Sequence, residues 1–261
     1  MKRVALISIV LIAIISAWAG LHRLPTNHPN AQRVVTVLAT PTPVIAKPDP
    51  AITLGGLSYA YSYFSAATPS SVSLIPNFTQ QKEAKTLSDT NGCRAAINGG
   101  FYDKTNKPLG YFYTAAHVYG AQIQSDLVNG FFWADTDGTA VISTDLPISI
   151  PYRFALQSGP LLLFDDQPIP LTINNDEHAR RMVVAKTMDN QFIFLTVYTK
   201  DSVFDGPLLA DLPAAVTLVS TKEHLDIADA LNLDGGSASS FYTEGTQLSE
   251  LAPIGSMLCV K

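Results

Sequence analysis

Two segments carry polar side chains into paired glycines at the ends of apolar runs: AAINGGFYD at 95–103 and ALNLDGGSASSFY at 230–242. A side-chain period of two along a strand puts Asn232 and Asp234 on one face and Leu231 and Leu233 on the other, so an amide and a carboxylate project together from one strand tip. Gly235 and Gly236 tolerate positive φ and let backbone N–H groups approach a ligand closely, which suits an anion. Asn98, Gly99 and Gly100 repeat the arrangement, with Phe101 directly after them. A single Gly-Gly pair makes a tight turn and nothing more. Two copies at strand ends with polar neighbours favour one shared site, in which the carboxylate moves a proton and the amides hold oxygen atoms.

Further candidates surround these. Gln157-Ser158-Gly159-Pro160 precedes the apolar run 161–164 and reads as a ligand loop or as an ordinary turn. Arg180-Arg181 opens another apolar run; its guanidinium groups either bind phosphate bidentately or pair in solvent with Asp176 or Glu177. Asp103 and Glu244 are available as a second acid or as ligands for a divalent cation, the one cofactor left open. Asp-x-Asp-Gly at 135–138 lacks the remaining ligands of a calcium loop and fits a hairpin turn. Ser237 follows two glycines, but no G-x-S-x-G elbow exists, and His117, His178 and His224 show no partner pattern, which weakens a serine hydrolase reading.

The elements that must position these residues are largely strands. Residues 57–64 alternate strictly, with Tyr59, Tyr61 and Tyr63 on one face. A helix capped by Asn77 with Gln80 is expected to end at Asn91-Gly92, and 94–98 then forms a buried strand. Residues 131–135 and 139–143 read as a hairpin across Thr136-Asp137-Gly138, and 181–187 with 191–199 as a second. Ser220-Thr221-Lys222-Glu223 has the form of a capping box opening a helix that ends near Ala228, ahead of a short strand 230–233. The expected fold is α+β, a mixed, largely antiparallel sheet with a few helices in a single domain.

The chain has 261 residues and a net charge of -5, with no basic run after the extreme N-terminus, so nucleic acid is not an expected partner. Lys2 and Arg3 precede an apolar run to Ala17, and Ala17-Trp18-Ala19 fits a small-x-small cleavage site. Residues 1–19 are thus a signal peptide or a membrane anchor, and membrane contact is expected only through them. Residues 20–50, with six prolines, read as an extended tether, leaving 51–261 as the domain. Export makes a Cys93–Cys259 disulfide possible; two separate buried thiols are the other reading.

The ordered set INGGFYD, PLG at 108–110, LQSGPLL at 156–162, RRMVVA at 180–185 and ALNLDGGSASS resembles the phosphodiester glycosidase domain over about 51–261. The chain departs from the family pattern at Met182, where Thr is usual, at Ala185, where Gly is usual, and at Ser237, where a further Gly is common. The resemblance implies an exported hydrolase, periplasmic or extracellular, acting on a carbohydrate phosphodiester. It also implies Asp234 as nucleophile or general base, Arg181 with the Gly235 and Gly236 amides as phosphate clamp, and Asn98 with Asn232 as hydrogen-bonding groups. Gly99, Gly100, Phe101, Gln157, Ser158 and Ser237 complete the expected binding surface. A non-catalytic envelope module that binds glycan or phosphate-bearing polymer is the rival reading.

Overall fold

The computed structural model describes residues 50–261, and the expected signal or anchor and nearly all of the tether lie outside them. Three sheets carry the fold, and every strand pairing in them is antiparallel, so the expected parallel component is absent among the described residues. The structure is mostly β with two α-helices, in broad agreement with an α+β class. No helix among the described residues is long and apolar enough to cross a membrane.

The largest sheet has seven strands in the order Ala51–Leu54, Leu57–Ala66, Phe192–Tyr198, Arg181–Thr187, Ile227–Asn232, Leu161–Phe164, Gln167–Pro168. Its central strands are buried on both faces, which is why FIFLTVY and RMVVAKT read as apolar runs rather than alternations. One face packs against the helix Leu212–Glu223 through Val183, Ile193, Leu195 and Val216. The other joins a core shared with both remaining sheets, containing Leu231, Leu233, Phe132, Phe154, Ile97 and Leu258. The second sheet runs Gln247–Leu248, Phe241–Tyr242, Ala95–Asn98, Ser256–Val260, Val72–Pro76. The third runs His117–Gly120, Phe112–Thr114, Tyr152–Ser158, Gly130–Asp135, Ala140–Ser143. Cys93 and Cys259 form a disulfide, which ties the entry of strand Ala95–Asn98 to the strand beside it.

Both helices lie ahead of a glycine pair, but neither starts where its capping residues suggest. Asn77 closes a turn instead, bonding Lys82 N–H and O at 2.9 Å and Ile254 O at 2.9 Å. The helix begins at Ala84, whose N–H is accepted by Glu250 at 2.6 Å, and it ends at Gly92 with φ +66° as expected. Ser220 to Glu223 close the second helix rather than open one. Thr221 Oγ1 bonds back to Thr217 O, Ser220 Oγ accepts Ile227 N–H, and His224 takes the left-handed cap at φ +54°.

Candidate active site

Strand Ala95–Asn98 delivers Gly99, and strand Ile227–Asn232 continues through Leu233 to Asp234. The two tips meet. Asp234 N–H donates to Gly99 O at 3.1 Å, and Asn98 Nδ2 donates to Asp234 O at 2.8 Å across 136 residues of chain. Asn98 Nδ2 also reaches Gly99 O, and its Oδ1 accepts Ser240 N–H at 2.9 Å. Asn98, expected as a hydrogen-bonding group for substrate, is 1% exposed; every polar atom of its side chain is engaged with backbone, and it staples the junction.

The glycines have different reasons for being there. Of the four paired glycines only Gly236 needs positive φ, at +62°. A Cβ on Gly99 would collide with Ser256 Oγ, one on Gly235 would come within 2.7 Å of Arg180 O, and Gly100 lies tight against Gln157 O and Ser158 Oγ at 3.3 Å. Close approach of other chain segments is therefore the commoner requirement.

Three more expected ligand residues turn out to be internal. Gln157 accepts the Tyr111 and Ile123 N–H groups and donates to Ile123 O and Val128 O, all within 3.0 Å, which pins the loop after Gly120. Ser158 Oγ donates to Asn232 O at 2.8 Å, and Asn232 Nδ2 donates to Gly159 O at 2.8 Å. All three are buried and support the backbone beneath the tips.

Asp234, Gly235 and Gly236 are partly open and Ser237 is exposed. Burial pushes the Asp234 carboxyl up to about 7, against a hydrogen bond from Gly235 N–H that pulls it down. Crowding by protein, not a second carboxylate, is therefore what makes this group a proton donor and acceptor near neutrality. The half-buried Tyr102 phenol is raised by burial and secondarily by the Asp234 charge, which places its ring in the field of the carboxylate. Its hydroxyl donates to Pro253 O at 2.5 Å. Leu251 and Ala252 N–H groups both donate to Ser237 O, so the 251–253 loop forms a wall beside the turn, with half-buried Phe101 and Tyr102 as further aromatic surface.

A family model for phosphodiester glycosidase matches residues 91–261. The chain belongs to the phosphodiester glycosidase family. The resemblance carried by the five motifs is thereby confirmed. No curated protein sequence matches the chain. Among solved structures, the zebrafish N-acetylglucosamine-1-phosphodiester alpha-N-acetylglucosaminidase catalytic domain, auto-inhibited by its pro-peptide, is similar at TM-score 0.57 and 17% identity, over 77% of this chain and 83% of that one. A hypothetical protein from Synechocystis is similar at TM-score 0.60 and 14% identity, over 81% of this chain and 61% of that one. A Burkholderia pseudomallei protein assigned as exported is similar at TM-score 0.52 and 11% identity, over 78% of this chain and 74% of that one. At these identities the likeness is one of fold.

Within the part matched by the phosphodiester glycosidase family lie both glycine-paired tips and both arginines. Arg181, expected as the phosphate clamp, instead takes the solvent-pair alternative in a more buried form. Its Nη2 pairs with Asp176 at 3.3 Å and bonds Glu177 O, while Nε donates to Pro207 O at 2.9 Å. Arg180, which the sequence offered only as half of a doublet, is fully buried. Its Nε donates to Ser239 Oγ at 2.7 Å and its Nη2 to Ser239 O and to Ser249 O, while the guanidinium lies over the Phe204 ring at 4.7 Å. Burial lowers its pKa to about 10, opposed by Tyr242 and Glu250. The signal that could have found it is position: Arg180 lies next to a strand whose residues 182–185 are all apolar and buried, so it starts at the edge of a packed region.

The other carboxylates belong elsewhere. Asp103 accepts Thr105 N–H and Oγ1–H and Lys107 N–H within its own turn, which lowers its pKa. Glu244 is exposed and lines a separate cleft of about 810 Å³ with Phe64, Arg94 and Thr246. Asp135 accepts Asp137 and Thr139 N–H groups in its hairpin. Among the described residues no group of three His, Cys, Asp or Glu side chains is arranged to hold a metal ion.

Proposed function

We propose that this protein is an exported hydrolase that cleaves a sugar-1-phosphodiester in an envelope or extracellular glycoconjugate. The observation that carries the reading is Asp234: a partly open carboxylate with a pKa of about 7, presented at the junction of two glycine-paired strand tips. Family membership supplies the reaction class, and the site supplies one group for it.

In its ionised form Asp234 takes a proton from water attacking the anomeric carbon, or attacks that carbon itself. The C1–O bond breaks and its electron pair leaves with the phosphate. The sugar takes the hydroxyl of the attacking water directly, or, where Asp234 has bonded to C1, a second step in which water displaces the carboxylate from C1 restores Asp234 and gives the sugar its hydroxyl. A phosphate monoester is a weak base with a second pKa near 6, so the leaving group needs little protonation and one carboxylate suffices. On this reading the phosphate is received beside Ser237, since the Gly235 and Gly236 N–H groups are engaged by the Asp234 carboxyl and Arg180 O, and Phe101 and Tyr102 offer apolar faces for the sugar ring.

The confinement of Asp103 and Glu244 to other places favours one rival, a module that holds such a polymer without cleaving it. Release of free sugar from a soluble sugar-1-phosphodiester separates the two. Turnover by the native chain and none by Asp234→Asn is the expected result; affinity without turnover in the native chain refutes the enzyme.

A further inference from the structure

On the sugar-phosphodiester reading of the site, we infer that Arg180, rather than Arg181, is the positioning residue for the substrate phosphate. The two differ in what neutralises them. Arg181 is ion-paired with Asp176, whereas among the described residues no carboxylate lies within ion-pair distance of Arg180, which feels only the more distant charge of Glu250, and its Nη1 has no hydrogen-bond acceptor though the residue is 0% exposed. A buried cation with no directly paired carboxylate is costly, and it favours any anion that approaches the backbone it supports.

That backbone is the turn after Asp234. Arg180 O accepts Gly236 N–H at 2.9 Å. Arg180 Nε holds Ser239 Oγ, which itself donates to Gly236 O at 2.5 Å, and Nη2 gathers the carbonyls of Ser239 and Ser249. The carbonyls of 236, 239 and 249 are thus drawn inward, directly or through Ser239. A trans peptide points its N–H opposite to its carbonyl, so drawing in Gly236 O turns the Ser237 N–H outward, at the exposed end of the turn next to Asp234. The Arg180 fork also ties this turn to Ser249, at the root of the 251–253 wall. One guanidinium therefore fixes the donor, the wall and the local positive potential, a task for which the single ammonium of lysine lacks the geometry.

The test uses the full chain and two probes: inorganic phosphate, read as an upward shift in melting temperature relative to chloride at equal ionic strength, and turnover of a soluble sugar-1-phosphodiester. Phosphate is expected to stabilise the native protein and Arg181→Gln alike. Arg180→Lys and Ser239→Ala are expected to lose most of that shift and to raise KM at least tenfold with a smaller change in kcat. Ser239→Ala removes one bond and no charge, so it reports even where an Arg180 variant fails to fold. Loss of the phosphate shift in Arg181→Gln with retention in Ser239→Ala overturns the inference and leaves the enzyme reading standing. Loss in Ser239→Ala in a protein that turns over no sugar phosphodiester supports the anion site and sinks the enzyme reading.

Discussion

Replacing Asp234 by Asn should stabilise the protein while abolishing its activity, and the stabilisation should depend on pH. Burial holds the carboxyl at about 7 rather than 3.8. Each pKa unit corresponds to about 1.4 kcal/mol, so ionised Asp234 costs the fold about 4 kcal/mol at pH 8. The sign follows from where the proton sits. Between pH 4 and 7 the folded chain keeps a proton that the unfolded chain has released, so this group's contribution is full below the unfolded value and is lost as pH rises through the folded one. An amide of the same shape does not titrate. Native and Asp234→Asn proteins should therefore melt together near pH 4, with the variant melting roughly 8–16 °C higher at pH 8 for a domain of this size. Thermal melts across that range, with sugar release assayed in parallel, measure both effects. A stability difference that is the same at pH 4 and 8, or one favouring the native protein at pH 8, refutes the buried carboxylate. Retained turnover refutes its catalytic role.

If the proposed reaction holds, kcat/KM of the native protein should rise about tenfold per pH unit below 7 and level off above it, because the ionised carboxylate is the form proposed to react; a profile flat from pH 5 to 8 contradicts this. Asn98→Ala should cost about 1–3 kcal/mol for each buried partner left unpaired and lower kcat by loosening Asp234, as read by urea unfolding and single-turnover rates. Reducing the Cys93–Cys259 disulfide should remove about 4–5 kcal/mol, since it closes a loop of well over a hundred residues, and denaturant midpoints with and without reductant check this. Glu223→Ala should destabilise by about 1–3 kcal/mol, because Glu223 accepts the hydroxyls of Tyr61 and Tyr63 beneath the second helix.

Much of the strand content was legible because its determinants are local. Alternation in 57–64 and turn residues at Asp137-Gly138 and Asp189-Asn190 mark strands that the structure contains. The helices were legible as existing but not as placed. Ser220 and Thr221 bond backward or accept from Ile227, and the left-handed residue that stops the helix is His224 rather than a glycine. In the site, sequence identified which polar residues stand at strand tips. It could not show which of them look outward. Asn98 is claimed by Asp234 and Ser240, and Gln157 by Ile123 and Val128, partners whose proximity arises only when three sheets close on one core. The burial and partners of Arg180 were illegible for the same reason, since its acceptors lie 59 and 69 residues away.

The strand bearing Asn98 is flanked on one side by Phe241–Tyr242 and on the other by Ser256–Val260. A ribosome or a translocation channel must therefore emit more than a hundred and fifty residues beyond Asn98 before that strand has both neighbours. Until then its edge is open, Gly99 has no Ser256 to lie against, and the loop closure involved is among the slow kinds. A nascent fragment ending before the final strand is expected to lack the assembled junction, and a chaperone that shields residues 95–98 would act on the step that decides whether the site forms.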